Sequence, residues 1–560
     1  PPRSTLFPYT TLFRSRIMMK RSDFREKKEY DLIIIGGGIT GAAVAYDAAS
    51  RGLSVALLEK DDFGSKTSSA TSKLIHGGLR YLANFELGLV RESLRERRIL
   101  ENIAPNFVYP IPNMIITDKK FKKSAKFAIK LGMILYDILS FDKKFTWDKS
   151  KKLPLHRSMS RGDTIKEEPL MEKKDLTGSL VYYDCASIFP ERLTLAFVKS
   201  ALYSGAEAAN YMEVTGFTFN GNIITGVTAK DKIRNKKITV SGRLVVNCAG
   251  PWADRVLNLT GKNPHEEALR RSEGIHIITK KLTNKHLVTA MTPSGRHIFI
   301  IPWRGYSLIG TTDKEYLGSP DDWKVTRESI NALIDEVNAS FSDKINITYD
   351  DVIYSYGGLR PLVENQTEDV YESSRKYEIF DNSTDGIEGL LTVEGGKYTT
   401  SRNLALHVVD AACKKLKIKA VKSETDKNYL AGCEIEDIEA YIEYCSKLLE
   451  TFDSKQVDYL ARIYGTELTE LMETAAKDKK LTEKLNADGE ILAQVVYAIN
   501  EEMAFTLNDI LFRRTGIGTL GHPGKDVLKK VADTAAKILG WDASRKKAEI
   551  ASAENIFRKP

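Results

Sequence analysis

The chain is 560 residues long, and this length exceeds what one ordinary hydrophobic core supports, so two or three domains are expected. Hydrophobic residues make up 42% of the chain and charged residues 28%, which is the composition of a soluble globular protein. The formal net charge of +8 suits anionic small substrates or an anionic membrane surface, but it is too diffuse to indicate nucleic-acid binding.

Three further features of the sequence indicate the compartment of the protein, its relation to a membrane and its natural start. The five cysteines are widely spaced and form no CxxC pair, which favours a reducing compartment and predicts neither a disulfide framework nor a metal site. No run of about eighteen apolar residues occurs, so any membrane contact is expected to be peripheral. We interpret residues 1–17 as non-native leader, with the natural start at Met18 or Met19, and expect residues 1–29 to be disordered or non-native.

The stretch Tyr30–Glu59 predicts a strand, a tight turn, a helix and a second strand. Leu32–Ile35 is a continuous branched apolar run, as a parallel strand buried on both faces requires, and it leads into the glycines of a GxGxxG motif. Gly36 allows the turn, Gly38 lets a pyrophosphate approach the backbone, and Gly41 lets the helix lie close to the strand. The sequence therefore predicts a nucleotide site near the N-terminus.

The residue expected to bind the ribose lies at the end of the second strand. A pyrophosphate is expected at the positive end of the helix Ala42–Ser50. The strand Ser54–Leu58 ends at Glu59, whose carboxylate can accept hydrogen bonds from a ribose 2′-hydroxyl. A phosphorylated ribose is therefore disfavoured, while the identity of the dinucleotide stays open on this stretch alone.

A segment rich in hydroxyl groups and glycine follows at Asp61–Leu82. Its sequence SSATSKLIHGGLRYL resembles the flavin-flanking segment of the FAD-dependent glycerol-3-phosphate dehydrogenases. The resemblance implies that His76, Arg80 and Tyr81 face the isoalloxazine ring and the substrate. It also implies cofactor contacts from Lys60, Ser69, Thr71, Ser72, Leu74 and Gly78.

Residues 119–141 place lysines in front of an amphipathic stretch whose apolar side chains share one face. Such a helix either docks on anionic lipid or packs against the core with a solvated basic end, and the sequence favours neither alternative. The apolar face consists of Phe127, Leu131, Ile134, Leu135 and Ile138.

The chain is then predicted to return to the dinucleotide. A hairpin is expected around residues 220–221, and a strand at Arg243–Asn247 runs into the motif NCAGPWAD. This motif resembles the second glycine motif of the glutathione-reductase-like flavoproteins, which favours FAD over NAD. The resemblance implies cofactor contacts at Ala249 and Gly250.

A second, antiparallel region is predicted from RSEGIHIIT, HIFIIPWRGYSLIGTTD and SYGGLRPL, short alternating strands suited to covering a flavin and holding a substrate. These segments also resemble the dehydrogenase family, around His276 and Arg360. Arg360 offers planar donors that fit a phosphate through two parallel hydrogen bonds, so we expect it to clamp the phosphate. Alternation alone would make His276 a satisfied core histidine, whereas the resemblance makes it a candidate base.

The opening pattern recurs near residue 390. A strand at Gly389–Val393 leads to a glycine pair and a helix from about Thr399, whose N-terminus would stabilise negative charge on a reduced flavin. The resemblance implies that Lys397 lies near flavin and substrate, and that Gly396, Tyr398 and Thr399 contact the cofactor.

The remaining chain predicts helices. Residues 502–521 resemble the helical C-terminal domain of the same family, and no catalytic role is expected there. The predicted fold is α/β, with an FAD-binding Rossmann-like domain over residues 30–422, an interleaved antiparallel β substrate domain at about 105–180 and 260–355, and an α-helical C-terminal domain over 423–560. Helices are predicted over residues 435–449, 456–464, 467–475, 491–502, 507–511 and 525–539.

The resemblance covers about residues 30–539 and implies oxidation of sn-glycerol 3-phosphate to dihydroxyacetone phosphate by hydride transfer to FAD. Arg80, Arg360 and Lys397 are expected to hold the phosphate, and His76 or His276 to remove the hydroxyl proton. The expected partners are glycerol 3-phosphate, a membrane quinone, an anionic lipid surface and a second copy of the chain, with no nucleic acid. The expected location is the cytoplasmic, inner face of the cell membrane.

Three alternatives remain open. A glycerol-3-phosphate oxidase would pass the electrons to oxygen, but the additional cap insertion of the oxidases is not seen between Gly310 and Arg360. An amine or amino-acid oxidase would share the flavin scaffold, although its substrate carboxylate needs only one arginine. A membrane- or protein-binding module with a vestigial nucleotide site is the non-enzymatic alternative.

Overall fold

The architecture was examined in a computed structural model. The structure describes residues 19–24, 28–82, 85–119, 123–262, 269–293, 295–362, 377–419 and 421–560. The predicted leader, residues 1–17, therefore lies outside the described residues. Within the wider range 1–29, residues 19–24, 28 and 29 are described, and Met19 and Phe24 among them are buried.

Eighteen strands and fifteen α-helices are present in the described part of the chain. The strands are β1 Glu29–Ile35, β2 Val55–Leu58, β3 Leu74–Ile75, β4 Val108–Asp118, β5 Arg157–Ser160, β6 Leu176–Ser187, β7 Glu207–Ala209, β8 Met212–Asn220, β9 Ile223–Asp231, β10 Lys236–Asn247, β11 Arg271–Thr279, β12 Leu287–Met291, β13 His297–Trp303, β14 Tyr306–Gly310, β15 Lys314–Glu315, β16 Tyr354–Pro361, β17 Tyr377–Asp381 and β18 Leu390–Gly395. The helices are α1 Ile39–Ser50, α2 Leu87–Ile103, α3 Lys123–Leu139, α4 Arg161–Glu167, α5 Pro190–Tyr203, α6 Ala253–Asn258, α7 Arg327–Ser340, α8 Ser401–Leu416, α9 Ile438–Leu448, α10 Ser454–Tyr464, α11 Leu468–Ala475, α12 Ala493–Glu501, α13 Leu507–Asp509, α14 Lys525–Leu539 and α15 Ala543–Phe557.

The first sheet sets the position of the glycine turn. Its strands follow the order β17-β18-β10-β1-β2-β7, with the hairpin β8–β9 attached to β10. From β18 to β7 the neighbouring strands are parallel, so their carboxyl ends meet at one edge. Leu32, Ile33 and Ile34 in β1 are fully buried, as a parallel strand covered on both faces requires. The predicted Rossmann-like unit is confirmed.

The second sheet covers that edge. It has ten strands in the order β15-β11-β14-β13-β12-β4-β6-β3, with β16 paired to β11 and β5 paired to β6. All of its pairings are antiparallel except the one between β12 and β4, which is parallel. The predicted fold class is therefore confirmed, while the domain boundaries stay a prediction.

The C-terminal region is helical, and α14 has the predicted bounds Lys525–Leu539. The helix α15, Ala543–Phe557, was not predicted. Glu549 and Ala553 are its buried residues, so the helix lacks the apolar stripe that reveals a helix in sequence. Every helix in the described residues is too short or too polar to span a lipid bilayer.

The amphipathic helix α3 turns its apolar side outward. Met133 and Tyr136 are buried beneath the helix, whereas the predicted apolar face, apart from the half-buried Leu135, is exposed to solvent. Core packing of that face, one of the two alternatives, is therefore wrong. The exposed side chains are Phe127, Leu131, Ile134 and Ile138.

The five cysteines are free and buried. Burial raises the pKa of the Cys248 thiol to about 12, so this residue after β10 is a packed side chain without thiolate character at neutral pH.

Candidate active site

The turn after β1 is closed by backbone contacts that only glycine permits. Gly36 has a φ of 103°, and a Cβ atom there would lie 2.6 Å from the carbonyl oxygen of Cys248. A Cβ atom on Gly41 would lie 1.9 Å from the carbonyl oxygen of Gly36. The first helical turn of α1 is therefore pressed against the strand end, and the free N–H groups of that turn point toward the carboxyl edge of the sheet.

Glu59 follows β2 beside this turn and is held by two backbone donors. Its Oε2 accepts a hydrogen bond from the N–H of Gly37 at 2.6 Å, and its Oε1 accepts one from the N–H of Asp61 at 2.8 Å. Burial raises the pKa of the Glu59 carboxyl, although both amide donors oppose this shift. Each carboxylate oxygen can accept a second hydrogen bond, so a ribose hydroxyl can still bind.

The start of α1 depends on a serine that sequence analysis missed. The side-chain oxygen of Ser68 accepts a hydrogen bond from the N–H of Ile39 at 2.9 Å, which satisfies one of the orphan donors of the helix. Ser68 is 29 residues away in the chain, so no local capping pattern could reveal it. The density of hydroxyl groups around it was the available signal.

One cavity of about 990 Å³ joins the glycine turn to the second sheet. This volume is at the upper end of the range of about 300–1,000 Å³ for ligand pockets. Gly41 and Ser69, both described, do not line it: Gly41 packs under the turn, and the Ser69 hydroxyl donates to the carbonyl of Lys66. The predicted residues that line it are Gly36, Gly38, Glu59, Lys60, Thr71, Ser72, Leu74, His76, Gly78, Arg80, Tyr81, Ala249, Gly250, His276, Arg360, Gly396, Lys397, Tyr398 and Thr399.

One wall of the cavity carries two cations around one aromatic ring. The guanidinium of Arg80 lies 5.0 Å from the ring centroid of Tyr81, and the ammonium of Lys397 lies 4.7 Å from it. Lys397 also donates to the hydroxyl of Ser93 at 2.5 Å. Burial lowers the pKa of Lys397. The tight turn after Leu79 and the loop after β18 thus bring together charges that are more than 300 positions apart in the sequence.

Another part of the cavity lining comes from the pairing of β11 with β16. Ser272 lies opposite Arg360, and His276 lies opposite Tyr356. Because side chains alternate along a strand, residues 272, 274 and 276 share one face with residues 356, 358 and 360. A Cβ atom on Gly274 would lie 1.8 Å from Nη2 of Arg360. Because glycine has no side chain, the guanidinium of Arg360 can occupy the space beside Gly274.

Arg360 is oriented by three neighbours that lie within the predicted strand segment HIFIIPWRGYSLIGTTD. Its Nη2 donates to the hydroxyl of Thr311 at 2.7 Å and to the carbonyl of Thr312 at 3.1 Å. Its Nη1 lies 3.3 Å from Oδ1 of Asp313, which also accepts a hydrogen bond from Ser272. These contacts fix the plane of the guanidinium at the cavity wall.

The two candidate histidines are both held neutral. Burial, together with the nearby Lys397 and Arg80 and against the opposing effect of Asp184, lowers the pKa of His76 to about 4. Burial and the cations Arg360 and Lys73 keep the pKa of His276 well below its usual value. At neutral pH each imidazole therefore carries a lone pair that can accept a proton.

The surroundings of His276 differ from those of His76. Nε2 of His276 is 2.9 Å from the hydroxyl of Ser72, and its ring stacks on Tyr356 with centroids 5.0 Å apart. Among the described residues, Nδ1 of His276 is buried without a hydrogen-bond partner. Such an unpartnered polar atom is uncommon in a protein interior.

Asp184 supports the turn that carries His76, and sequence analysis missed it. It accepts a hydrogen bond from the N–H of Gly77 at 3.2 Å, from the hydroxyl of Tyr136 at 2.7 Å and from Arg97 at 2.6 Å. The Asp184 carboxylate on β6 thus connects this strand to α2 through Arg97 and to α3 through Tyr136, beneath the loop that carries His76. These contacts connect positions up to 107 residues apart, which no local pattern indicates.

The geometry defines one cavity whose lining includes the glycine turn and Glu59 as well as the cations Arg80, Arg360 and Lys397. Residues 31–402 match the family model of the FAD-dependent oxidoreductases, and residues 423–546 match the C-terminal domain of alpha-glycerophosphate oxidase. The glycerol-3-phosphate dehydrogenase of Synechocystis is 37% identical over 528 residues, which cover 91% of this chain and 93% of that protein. The aerobic glycerol-3-phosphate dehydrogenase of Staphylococcus aureus is 34% identical over 546 residues, covering 95% and 94%.

A solved structure extends this likeness to three dimensions. The glycerol-3-phosphate dehydrogenase from Bacillus halodurans, complexed with FAD, superposes with a TM-score of 0.76 at 28% identity and covers 95% of each chain. The chain therefore belongs to the FAD-dependent oxidoreductases and, within that class, to the glycerol-3-phosphate dehydrogenase family. The predicted resemblance and the predicted cofactor, FAD, are confirmed. The backbone cradle at Gly36 and Gly41 and the carboxylate of Glu59 fit a dinucleotide.

Proposed function

We propose that the protein oxidises sn-glycerol 3-phosphate to dihydroxyacetone phosphate and passes the electrons to a membrane quinone. The choice of substrate rests on one observation. The cations Arg80, Arg360 and Lys397 all line the cavity that also contains the glycine turn. A phosphate monoester carries a double negative charge, and three cations in a largely buried chamber match it. The names of the relatives support the same substrate.

Arg360 is the proposed phosphate clamp. Its neighbours Thr311 and Asp313 hold the guanidinium in place at the cavity wall, where its positive charge attracts a phosphate. His276 lies four residues from Ser272, which pairs with Arg360, and both His276 and Arg360 line the cavity. This span suits a three-carbon phosphate ester with its phosphate at the arginine and its secondary hydroxyl toward the imidazole.

His276 is the proposed base. Its neutral imidazole would take the proton of the secondary hydroxyl while the hydrogen on the same carbon leaves as hydride. When bound, FAD supplies the two-electron acceptor for that hydride. Ser72 fixes the ring through Nε2, and the unpartnered Nδ1 is the atom that we assign to the proton. His76 would instead shape the cavity next to Arg80 and Lys397.

The test of this function is anaerobic reduction of the purified holoenzyme. Addition of glycerol 3-phosphate is expected to bleach the flavin absorbance, while glycerol, glycine and proline are expected to leave it unchanged. Bleaching by an amino acid would favour the amine-oxidase alternative. The variant His276→Gln is expected to retain FAD and substrate binding but to reduce the bleaching rate by roughly 10²- to 10⁴-fold, which is the usual contribution of a general base.

The quinone acceptor is supported by the surface around the cavity. Leu131 and Leu135 of α3, together with Leu82 and Phe85, line the cavity mouth. The exposed apolar face of α3 is therefore continuous with the entrance to the site, as an acceptor dissolved in lipid requires. After anaerobic bleaching, a quinone analogue is expected to restore the yellow flavin rapidly. Oxygen uptake with stoichiometric hydrogen peroxide would instead identify an oxidase.

The same face supports peripheral attachment to anionic lipid. Phe127, Leu131 and Ile138 have 70%, 56% and 61% of their surface exposed, and an interfacial helix buries such side chains among lipid headgroups. We expect the protein to sediment with phosphatidylglycerol vesicles more than with phosphatidylcholine vesicles. The variant Phe127→Ser/Ile138→Ser is expected to weaken this binding, whereas Ile223→Ser, at an exposed apolar position on β9, is the matched control. Equal binding by all three proteins would contradict the proposal.

The predicted homodimer stays a prediction.

A further inference from the structure

Asp62 is a buried carboxylate clamped between two arginines. It is 1% exposed, and each of its oxygens accepts a hydrogen bond of 2.7 Å from Arg514. Arg513 donates to the same carboxylate through Nε, and Asn210 does so through its amide at 2.8 Å. The pair with Arg514 has the two-pronged geometry that makes arginine–carboxylate bonds strong and directional.

Both arginines belong to the C-terminal helical region, more than 450 positions from Asp62. They lie in the π-helical turn Ile510–Arg514 that continues α13. Nε of Arg514 donates to the carbonyl of Glu502 at 2.8 Å. The Glu502 carboxylate in turn accepts hydrogen bonds from Arg192 and Lys199 of α5. The turn is therefore anchored to the FAD-binding core independently of Asp62.

The neighbours of this carboxylate in the chain form the floor of the cofactor site. The N–H of Asp61 donates to Oε1 of Glu59 at 2.8 Å. A Cβ atom on Gly37 would lie 2.6 Å from the Phe63 ring, so the phenyl group packs directly under the glycine turn. The N–H of Gly64 donates to the carbonyl of Gly37 at 3.0 Å. Movement of this loop would displace the ribose carboxylate and the glycine turn together.

We propose that Arg513 and Arg514 are positioning residues for FAD: they fix Asp62 and, through its loop, hold Glu59 and Gly37 in the geometry that binds the dinucleotide. The C-terminal helical region thereby completes the cofactor site from outside the cavity. None of the three side chains reaches the cavity lining. The inference depends on FAD as the cofactor and is independent of the substrate and of the electron acceptor.

A positioning role and a purely structural role predict different measurements. If the ion pair only stabilises the fold, its loss lowers the thermal midpoint of the apo and FAD-saturated forms equally. If it positions Glu59 and Gly37, its loss weakens FAD binding, so the increase in midpoint caused by FAD becomes smaller. The KM for glycerol 3-phosphate at saturating FAD is expected to stay unchanged, because the contacts of the Asp62 loop run to Glu59 and Gly37 and none of the three side chains lines the cavity.

The experiment compares FAD dissociation constants of the full-length apo protein, measured by quenching of flavin fluorescence. Arg514→Lys keeps the charge but removes the two-pronged geometry, and we expect its FAD dissociation constant to rise about tenfold or more. Arg51→Lys is the matched control. Arg51 is equally buried and pairs with Asp47 and Asp410, but it lies at the far end of α1, about 18 Å of helix from the glycine turn. We expect its FAD affinity to stay within about twofold of the parent protein.

Arg513→Gln provides a milder test, because Asp62 keeps both bonds to Arg514. We expect a smaller rise in the FAD dissociation constant, of about threefold. If Arg514→Lys does not accumulate as folded protein, this variant carries the test alone. An unchanged FAD affinity in the arginine variants that fold, or an equal loss in Arg51→Lys, would overturn the proposal.

Discussion

Replacement of Gly41 by alanine is the most direct test of how the glycine turn holds the cofactor. A Cβ atom at this position would lie 1.9 Å from the carbonyl oxygen of Gly36 and 3.4 Å from Cβ of Cys248. Ordinary contacts between carbon and a carbonyl oxygen are about 3.3 Å or longer. The start of α1 and the end of β1 must therefore separate by more than about 1 Å. The obstructing carbonyl of Gly36 belongs to the backbone that directly follows β1, so it cannot turn aside.

The expected cost follows from this overlap. Insertion of a methyl group into a packed site costs about 1–3 kcal/mol, and every 1.4 kcal/mol corresponds to a tenfold change in a binding constant. The displaced atoms carry the N–H groups that face the pyrophosphate. If the whole cost is expressed in cofactor binding, Gly41→Ala weakens FAD binding by about 5- to 150-fold.

Fluorescence titration of the apo protein with FAD measures this effect, with Gly88→Ala as the control. Gly88 lies at the start of α2, and a Cβ atom there would meet nothing within 4 Å. Alanine is the better helix former, so the control is expected to be neutral or slightly stabilising. The reasoning is refuted if Gly41→Ala binds FAD as tightly as the parent protein, or if the two variants lose affinity equally.

Two further predictions concern the substrate chamber. Arg360→Lys is expected to raise the KM for glycerol 3-phosphate by about tenfold or more while FAD binding is retained, because lysine cannot reproduce the two-pronged geometry; Arg327→Lys on α7 is the control, and an unchanged KM in steady-state kinetics would count against the clamp. Burial lowers the pKa of His276, so below about pH 6.5 the unfolded chain binds a proton that the folded protein does not. Stability is therefore lost as the pH falls through this range, and thermal unfolding of His276→Gln is expected to show a shallower loss between pH 7 and 5; parallel curves would show that His276 does not contribute.

Much of the fold could be predicted from local pattern. The apolar run of β1, the glycine spacing at Gly36, Gly38 and Gly41, and the second strand ending at Glu59 are contiguous in the chain. Their geometry is set by neighbours a few residues apart, which a sequence displays directly. The helix α14 was predicted with its observed bounds for the same reason, since its apolar period is regular. By contrast, α15 has almost no apolar stripe, so its pattern gave no signal.

Family resemblance supplied the candidate site residues, but their arrangement needed the folded chain. The sequence could not decide whether the apolar side of α3 is covered, because exposure depends on what packs against a helix and not on its period. It also gave no sign that Ser68 caps α1 or that Asp184 supports the turn carrying His76. Each of these contacts joins residues 29 or more positions apart.

The sequence by itself determined the strand–turn–helix–strand order of the dinucleotide-binding unit at residues 30–59 and the cations available for an anionic substrate. Tertiary structure alone decided that the pairing of β11 with β16 places His276 and Arg360 on one face, and that Arg514 reaches Asp62 from the C-terminal region. The physical reason is range. Turn residues and hydrophobic period are signals that arise between residues near one another in the chain. An ion pair between distant residues forms only after the intervening chain has packed.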